Sequence, residues 1–481
     1  MDNPHHMLNT PGDYMRALRR DYVGYLISTG LLAMGNLALL PVITGYLSPP
    51  EIGLYSLVEA GTNLGATLSL LGLKFAYLYH HAHTEAPQRP HLLGTALAIA
   101  GCCALLSGAL LALLFGNNAM MALFDASVLP MPWLLPLLML GGAWQALLHT
   151  QRRAERRVAL AGCIAVLQLA VWLASSSYLV IVQDAGLPGL IGGQIIGQLA
   201  ACLLAFLVRP LPRFAFDAAR MLPLVRYGVP LMLGLLLRYS LDSMARFMLA
   251  AWAGIALAGD YLIAMRVATL FEGLLALPFF TAWGGLVHHA LKLPRAGEIL
   301  GRVSDVALVA SGLLVLLSLC LQPWLFTLLA HDARPDLAAL FGMILLSKAI
   351  FVVKSPLGGG LLRTGRTGWS VRNNLLALAI FLPLSWPLIT YGGALGGATG
   401  GAAAIVVATL AALLKQAAES QLHCRQQPRL AAIAVAILAL LLPFGIAAGL
   451  PAQPAAWGAL CCGAITALYL RGHHPATNPL Y

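Results

Sequence analysis

The most informative charged side chains lie inside an apolar stretch near the middle of the chain. Arg238, Asp242 and Arg246 follow one another at intervals of four residues within the run from 228 to 253. On a helix this spacing places all three on one face. Arg binds phosphate through two parallel hydrogen bonds, so a face with two Arg and one Asp predicts an anion-binding site. The alternative is that Asp242 neutralises one arginine in a protein-filled interior.

Other ionisable residues also lie within apolar runs. A charge at the centre of a membrane helix costs about 2.5–3.5 kcal/mol on insertion scales, so such a residue faces water, pairs with another charge or binds something. We predict that the basic residues bind an anionic substrate: Arg238, Arg246, Arg266, Lys348 and Lys74. The guanidinium groups are expected to face a hydrated cavity. Lys74 and Lys354 lie near enough to a helix end that their ammonium groups can instead reach the headgroups.

The acids in these runs have two open roles. They are Asp242, Glu272 and Glu59. A buried carboxylate near arginines can titrate and couple transport to a proton or sodium gradient. It can also do no more than balance the positive charge.

The composition shows which elements must position these residues. The chain has 481 residues, of which 59% are hydrophobic and 10% charged, whereas a soluble globular protein carries about 25% charged residues. This excludes an ordinary soluble enzyme and predicts an all-α polytopic membrane protein. About fourteen runs are long enough to span a bilayer. They lie near 22–46, 52–79, 92–115, 128–149, 158–182, 187–208, 228–253, 259–287, 305–330, 337–359, 371–391, 396–418, 430–449 and 455–471.

The basic residues orient these spans. Twenty-two of the 29 Lys and Arg residues fall at the termini and in alternate loops on the same side, whereas the opposite loops hold Arg334 alone. By the positive-inside rule both termini are predicted to be cytoplasmic. The net charge of +11 therefore reflects membrane topology, and nucleic acid is not a predicted partner.

Two segments 206 residues apart resemble each other. Gly53-Leu54-Tyr55 and Gly259-Asp260-Tyr261 both begin a span that ends in a His-His-Ala sequence. Because the offset covers six spans, the pattern predicts parallel repeats. The expected organisation is an N-terminal lobe (1–208, helices 1–6), a C-terminal lobe (209–418, helices 7–12) and two appended helices (419–481). Chance similarity at helix ends is the alternative.

Several kinds of chemistry have no sequence support. The chain has no P-loop pattern and no Cys or His spacing typical of a metal site. No loop is long enough to hold a glycosyl-transfer or ligase active site. We therefore predict no catalytic residues, no metal and no cofactor.

The chain resembles bacterial polysaccharide exporters of the O-antigen flippase type, which belong to the multidrug/oligosaccharidyl-lipid/polysaccharide (MOP) exporter superfamily. The resemblance rests on Leu47–Pro49, Gly53–Tyr55, Ala245–Leu249 and Gly259–Tyr261. The chain departs from the family in having Ala245 where Asp is frequent, and Asp242 one turn earlier can substitute for it.

This resemblance implies a flippase of the bacterial inner membrane, not an enzyme. Its cargo would be an oligosaccharide linked to undecaprenyl diphosphate, carried from the cytoplasmic to the outer leaflet by alternating access. The implied partners are membrane lipids, a coupling ion and the machinery of glycan polymerisation and chain-length control. Two alternatives stay open: a multidrug or cation antiporter of the same superfamily, and a glycan polymerase or ligase.

Overall fold

A computed structural model describes residues 11–155, 157–208, 217–291, 293, 295–330, 337–364, 368–392, 396–423, 430–451, 455–456 and 458–463. All regular structure within these residues is helical, and no strand occurs among them. Ten of the described helices are long and apolar enough to cross a membrane. The prediction of an all-α polytopic membrane protein is thus confirmed.

The α-helices follow one another along the chain with short connections. They are α1 (Pro11–Leu37), α2 (Leu40–Tyr46), α3 (Pro49–Leu70), α4 (Leu73–His83), α5 (Arg89–Phe115), α6 (Asn118–Ala122), α7 (Leu134–Ala154), α8 (Val158–Ser177), α9 (Gly186–Val208), α10 (Ala218–Ala253), α11 (Ile255–Phe271), α12 (Leu277–Ala290), α13 (Ala296–Ala330), α14 (Leu337–Leu357), α15 (Gly368–Tyr391), α16 (Gly397–His423) and α17 (Leu430–Ala447). Two π-helical segments continue α8 and α11, at Tyr178–Val182 and Glu272–Ala276.

Contacts divide the chain into two compact units. The first unit comprises Ala38–Leu262, and the second comprises Met1–Leu37 with Ile263–Tyr481. The first unit therefore holds α2 to α10 and the opening of α11, and the second holds α1 and the helices that follow. The two parallel repeats, and the lobes at 1–208, 209–418 and 419–481, stay predictions.

The predicted second span is broken in the middle. Between α3 and α4, Leu71 and Gly72 adopt φ values of 44° and 70°, in the left-handed region that Gly tolerates best. A Cβ on Gly72 would lie 2.1 Å from the carbonyl oxygen of Gly228 on α10. The break is therefore packed directly against the α10 backbone, at a place where only glycine fits.

The predicted eighth span changes its helical type instead of breaking. α11 passes into the π-helical segment at Glu272 and continues as α12. Pro278 has no N–H and cannot bond the carbonyl four residues earlier, that of Leu274. The hydroxyl of Tyr22 on α1 donates to this same carbonyl oxygen. A side chain from another helix thus satisfies the acceptor that the proline leaves open.

Side chains also fix where α3 and α10 begin. The N–H and the hydroxyl of Ser48 both donate to Glu51 Oε2, at 2.8 and 2.6 Å, in a capping box that starts α3. Asp217 caps α10 by accepting from the N–H of Ala219 at 3.0 Å. The hydrogen bond from Arg220 Nε, 2.8 Å long, lowers the pKa of Asp217.

Several predicted features fall outside the described residues. The last part of the fourteenth span, from 464 to 471, is among them, and so is Arg334 with its neighbours 331–336. The thirteenth span agrees closely with α17. α10 begins ten residues before the predicted seventh span, because residues 218–227, which include Arg220 and Arg226, are helical as well.

Candidate functional site

The three charged residues of the seventh span lie on α10, as predicted. α10 runs without a break through Arg238, Asp242 and Arg246. Arg238 and Asp242 are half-buried, whereas the Arg246 side chain is only 1% exposed. Arg266 on α11 is also buried, at 7%. Both side chains are therefore largely removed from water in this structure, contrary to our expectation of a hydrated cavity.

Arg246 is enclosed by groups from α3 and α11. Its Nη1 lies 3.8 Å from Glu59 Oε1 and donates to the carbonyl oxygen of Ser56 at 3.3 Å. The centroid of the Tyr261 ring is 6.0 Å from its Cζ. Glu59 keeps 25% of its side chain exposed. The arginine of this ion pair is thus buried, while the side chain of its glutamate partner stays partly exposed.

Close helix packing holds this arrangement together. Ser243 Oγ on α10 donates to the carbonyl oxygen of Ala60 on α3 at 3.2 Å. A Cβ on Gly53 would lie 2.1 Å from the carbonyl oxygen of Ile255, at the start of α11. The three helices that supply Glu59, Arg246 and Tyr261 therefore meet at close range, which fixes the guanidinium relative to its partners.

A second ion pair forms in the second unit. Lys348 Nζ on α14 lies 2.9 Å from Oε1 of Glu272, the first residue of the π-helical segment. The Lys348 side chain is 12% exposed and that of Glu272 is 31% exposed. As in the first pair, the cation is the more buried partner and the carboxylate the more accessible one.

The remaining predicted residues have separate surroundings. Lys74 is half-buried near the start of α4 and within electrostatic reach of Arg153 on α7. Lys354 Nζ donates to Asn374 Oδ1 at 3.0 Å. The structure thus joins Arg246 with Glu59 and Lys348 with Glu272.

Sequence reasoning missed two partners of Arg246. Tyr261 belongs to the repeated Gly-x-Tyr pattern, so the sequence indicated that this residue matters. The pattern did not predict its contact with Arg246. Ser56 contributes only a backbone oxygen, which no residue type signals. Among the described residues, no cluster of His, Cys, Asp or Glu could hold a metal ion.

Comparisons with known proteins agree with this architecture. A family described as "Polysaccharide biosynthesis protein" matches residues 20–283, more than half of the chain. No curated protein matches the chain.

Solved structures with a similar fold include the lipid II flippase MurJ in an inward closed conformation, with a TM-score of 0.70, 11% identity and coverage of 94% of this chain and 98% of that one. An inward-facing multidrug resistance MATE family transporter of the MOP superfamily has a TM-score of 0.63, 14% identity and coverage of 86% and 98%. A MOP superfamily transporter from Pyrococcus furiosus, described as having a binding pocket of reverse polarity, has a TM-score of 0.52, 14% identity and coverage of 86% and 95%.

These identities are low, so the solved structures establish the fold, while the family match covers the segment that holds Glu59, Arg246 and Tyr261. The resemblance inferred from the short sequence motifs is confirmed: the chain belongs to the polysaccharide biosynthesis protein family and has the fold of the MOP superfamily.

Proposed function

We propose that this protein is a flippase that carries an undecaprenyl-diphosphate-linked oligosaccharide across the bacterial inner membrane. The O-antigen, capsule or exopolysaccharide repeat unit would enter from the cytoplasmic leaflet and leave at the outer leaflet by alternating access. Family membership supports a role in polysaccharide biosynthesis. The observation that carries the proposal is the buried Arg246, which lies in a helix long and apolar enough to cross a membrane and has the partly exposed Glu59 as its counter-ion.

The Arg246–Glu59 pair has the properties of an exchangeable anion site. A guanidinium has five N–H donors, and the contacts to Glu59 and Ser56 involve Nη1. A diphosphate carries more negative charge than one carboxylate and matches the guanidinium with two hydrogen bonds. The cargo would therefore displace Glu59, whose partly exposed side chain can turn away. Glu59 keeps the buried cation neutralised whenever cargo is absent.

The Lys348–Glu272 pair repeats this logic in the second unit. Its cation is buried and its carboxylate accessible, so an anion can compete for Lys348 in the same way. Arg238 on α10, with Asp242 balancing its charge, would supply further positive charge in the first unit, and Arg266 on α11 would do so in the second. In the proposed cycle, Glu59 and Glu272 thus neutralise the buried cations whenever the anionic cargo is absent.

Surface glycan in a complemented deletion strain tests the proposal. Arg246→Ala should abolish surface glycan, and Arg246→Lys should restore little of it, because an ammonium cannot form the two-pronged contact. Arg372→Ala is the matched control: Arg372 also pairs with a glutamate, Glu419, at 2.7 Å, but its side chain is 59% exposed. This control should leave surface glycan at the wild-type level. Immunoblots of membranes check that all variants accumulate equally.

The same strains separate the alternatives. A flippase mutant retains the lipid-linked precursor on the cytoplasmic side, whereas a polymerase or ligase mutant still displays it outside. Loss of resistance to cationic drugs, with surface glycan intact, would identify an antiporter instead. Full complementation by Arg246→Ala would refute the assigned site.

A further inference from the structure

A row of aromatic and imidazole rings lies where α4 and α10 meet. The rings of Tyr79 and Tyr227 stack with centroids 4.6 Å apart and an interplanar angle of 14°. His83 extends the row on the Tyr79 side, at 4.7 Å, and its Nδ1 lies 2.8 Å from the Tyr79 carbonyl oxygen. His80 meets Tyr227 edge-on at 6.1 Å. We call these four residues the ring row.

The ring row is exposed although it is rich in aromatic surface. Tyr79 is 46% exposed and Tyr227 is 39% exposed. Phe75, one turn before Tyr79 on the same side of α4, is 43% exposed. A stacked pair with this much free ring surface is pre-formed, so a ligand that covers it need not order the side chains first.

Tyr227 of the ring row lies on the same side of α10 as Arg238. Tyr227 precedes Arg238 by eleven residues, which is within about 20° of three full turns and about 16 Å along the axis. Arg238, one of the proposed diphosphate ligands, therefore shares a helix face with Tyr227, whereas Arg246 lies about 28 Å from Tyr227 along the axis and about 100° around it. A separation of about 16 Å is the length of a few sugar units, whereas a diphosphate alone is far shorter.

We propose that the ring row is a stacking platform for the sugar rings of the cargo, at the predicted cytoplasmic end of the transport path; this inference rests on the proposed function. The apolar face of a pyranose presents C–H groups that pack on the electron-rich face of an aromatic ring. The phenol hydroxyls can bond sugar hydroxyls at the rim. The platform recognises the glycan, and the arginines recognise the diphosphate.

Two probes separate these roles when bound to the purified full-length protein in detergent. One is undecaprenyl diphosphate, and the other is the undecaprenyl-diphosphate-linked glycan extracted from a strain that lacks the transporter. Affinities are measured by native mass spectrometry. The double variant Tyr79→Ala/Tyr227→Ala should bind the glycan-bearing lipid about tenfold more weakly, or about 1.4 kcal/mol, and undecaprenyl diphosphate as tightly as the wild type. Tyr79→Phe/Tyr227→Phe, which keeps the rings, should retain most of the affinity.

The control is another exposed aromatic pair. Trp386 and Tyr391 have ring centroids 5.4 Å apart and lie at the opposite, predicted outer end of the membrane; their alanine variants should bind both probes normally. Equal weakening of both probes by the Tyr79/Tyr227 alanine pair would overturn the platform, since the rings would then support the fold or contact lipid headgroups. Unchanged binding of both probes, or equal loss in the Phe pair, would overturn it too. If the wild type binds neither probe, the proposed function itself fails.

Discussion

Arg246 combines almost complete burial with a full positive charge. A cation at this depth requires compensation, because removing it from water costs several kcal/mol. Glu59 and the Ser56 carbonyl supply part of that compensation from α3, and the face of the Tyr261 ring lies 6.0 Å from the guanidinium, within the range of a cation–π contact. These partners explain how the side chain is tolerated without cargo. They also make Glu59 the residue that an incoming anion must displace.

Replacing Glu59 by Gln tests this competition directly. The glutamine amide carries no charge, so it competes less well than the carboxylate for Arg246. Glu59→Gln should therefore bind inorganic pyrophosphate about tenfold more tightly, a gain of about 1.4 kcal/mol. The measurement is isothermal titration of the purified protein in detergent.

Glu419→Gln is the control for that titration. Glu419 also pairs with an arginine, and its side chain has the same exposed fraction as Glu59, 25%. The Glu419→Gln variant should have the same pyrophosphate affinity as the wild type. Equal or weaker binding by Glu59→Gln would mean that Glu59 does not stand in for an anion.

Among the elements, the predicted eighth span consists of α11, the π-helical segment and α12. A hydrogen bond from Tyr22 on α1 stabilises it. Tyr22→Phe removes the donor to the Leu274 carbonyl, which Pro278 has deprived of its backbone partner. The expected loss is about 1 kcal/mol of unfolding free energy. Adding Pro278→Ala restores an N–H that can donate to the Leu274 carbonyl in place of the tyrosine. The unfolding free energy lost by the double variant should therefore be smaller than the sum of the losses in the two single variants. Tryptophan fluorescence during denaturant unfolding measures this cycle; strict additivity would show that the two groups do not share the carbonyl.

The crossing of α3 with the start of α11 allows no side chain at Gly53. Gly53→Ala should lower the melting temperature, since the new methyl group must push the Ile255 backbone away, at a cost of about 2 kcal/mol or more. Gly162→Ala on α8 is the control, because a Cβ there has nothing within 4 Å and alanine favours helix by about 1 kcal/mol. Thermal unfolding in detergent compares them. A Gly53→Ala protein as stable as the wild type would show that the crossing can relax.

At the element scale, the sequence predicted where the charges lie but not how they pair. Spacing of four residues placed Arg238, Asp242 and Arg246 on one helix face, which the structure bears out. The same spacing contains no information about the helix opposite, so the contact of Arg246 with Glu59 could not be derived. The break at Leu71–Gly72 was equally hidden, because an uninterrupted apolar run predicts an uninterrupted helix.

For the whole molecule, composition alone identified the class correctly. A charged fraction of 10% leaves no alternative to a membrane protein, and short motifs pointed to the family that the comparison then established. The assignment of helices to the two units depends on tertiary packing. Short-range patterns do not encode it: α1 belongs with later helices and α10 with earlier ones.

The membrane orientation that we predict from the distribution of basic residues is open to direct test. Alkaline phosphatase fused after Asn117, between α5 and α6, should be active because the predicted location is outside. Fusion after Glu85, between α4 and α5, should be inactive, whereas green fluorescent protein at that position should fluoresce. The reverse pattern would invert the topology and with it the direction of transport that we propose.

The Tyr22 contact has a kinetic consequence for the second unit. An ordinary helix can bend sharply only by breaking main-chain hydrogen bonds, and their repair requires the backbone to rewind. At Leu274 the bond comes from a phenol, which can swing away and return as a side chain does, in nanoseconds when unhindered. A rotamer change of Tyr22 can thus release the Leu274 carbonyl. The segment between α11 and α12 can then bend without breaking a turn of main-chain hydrogen bonds.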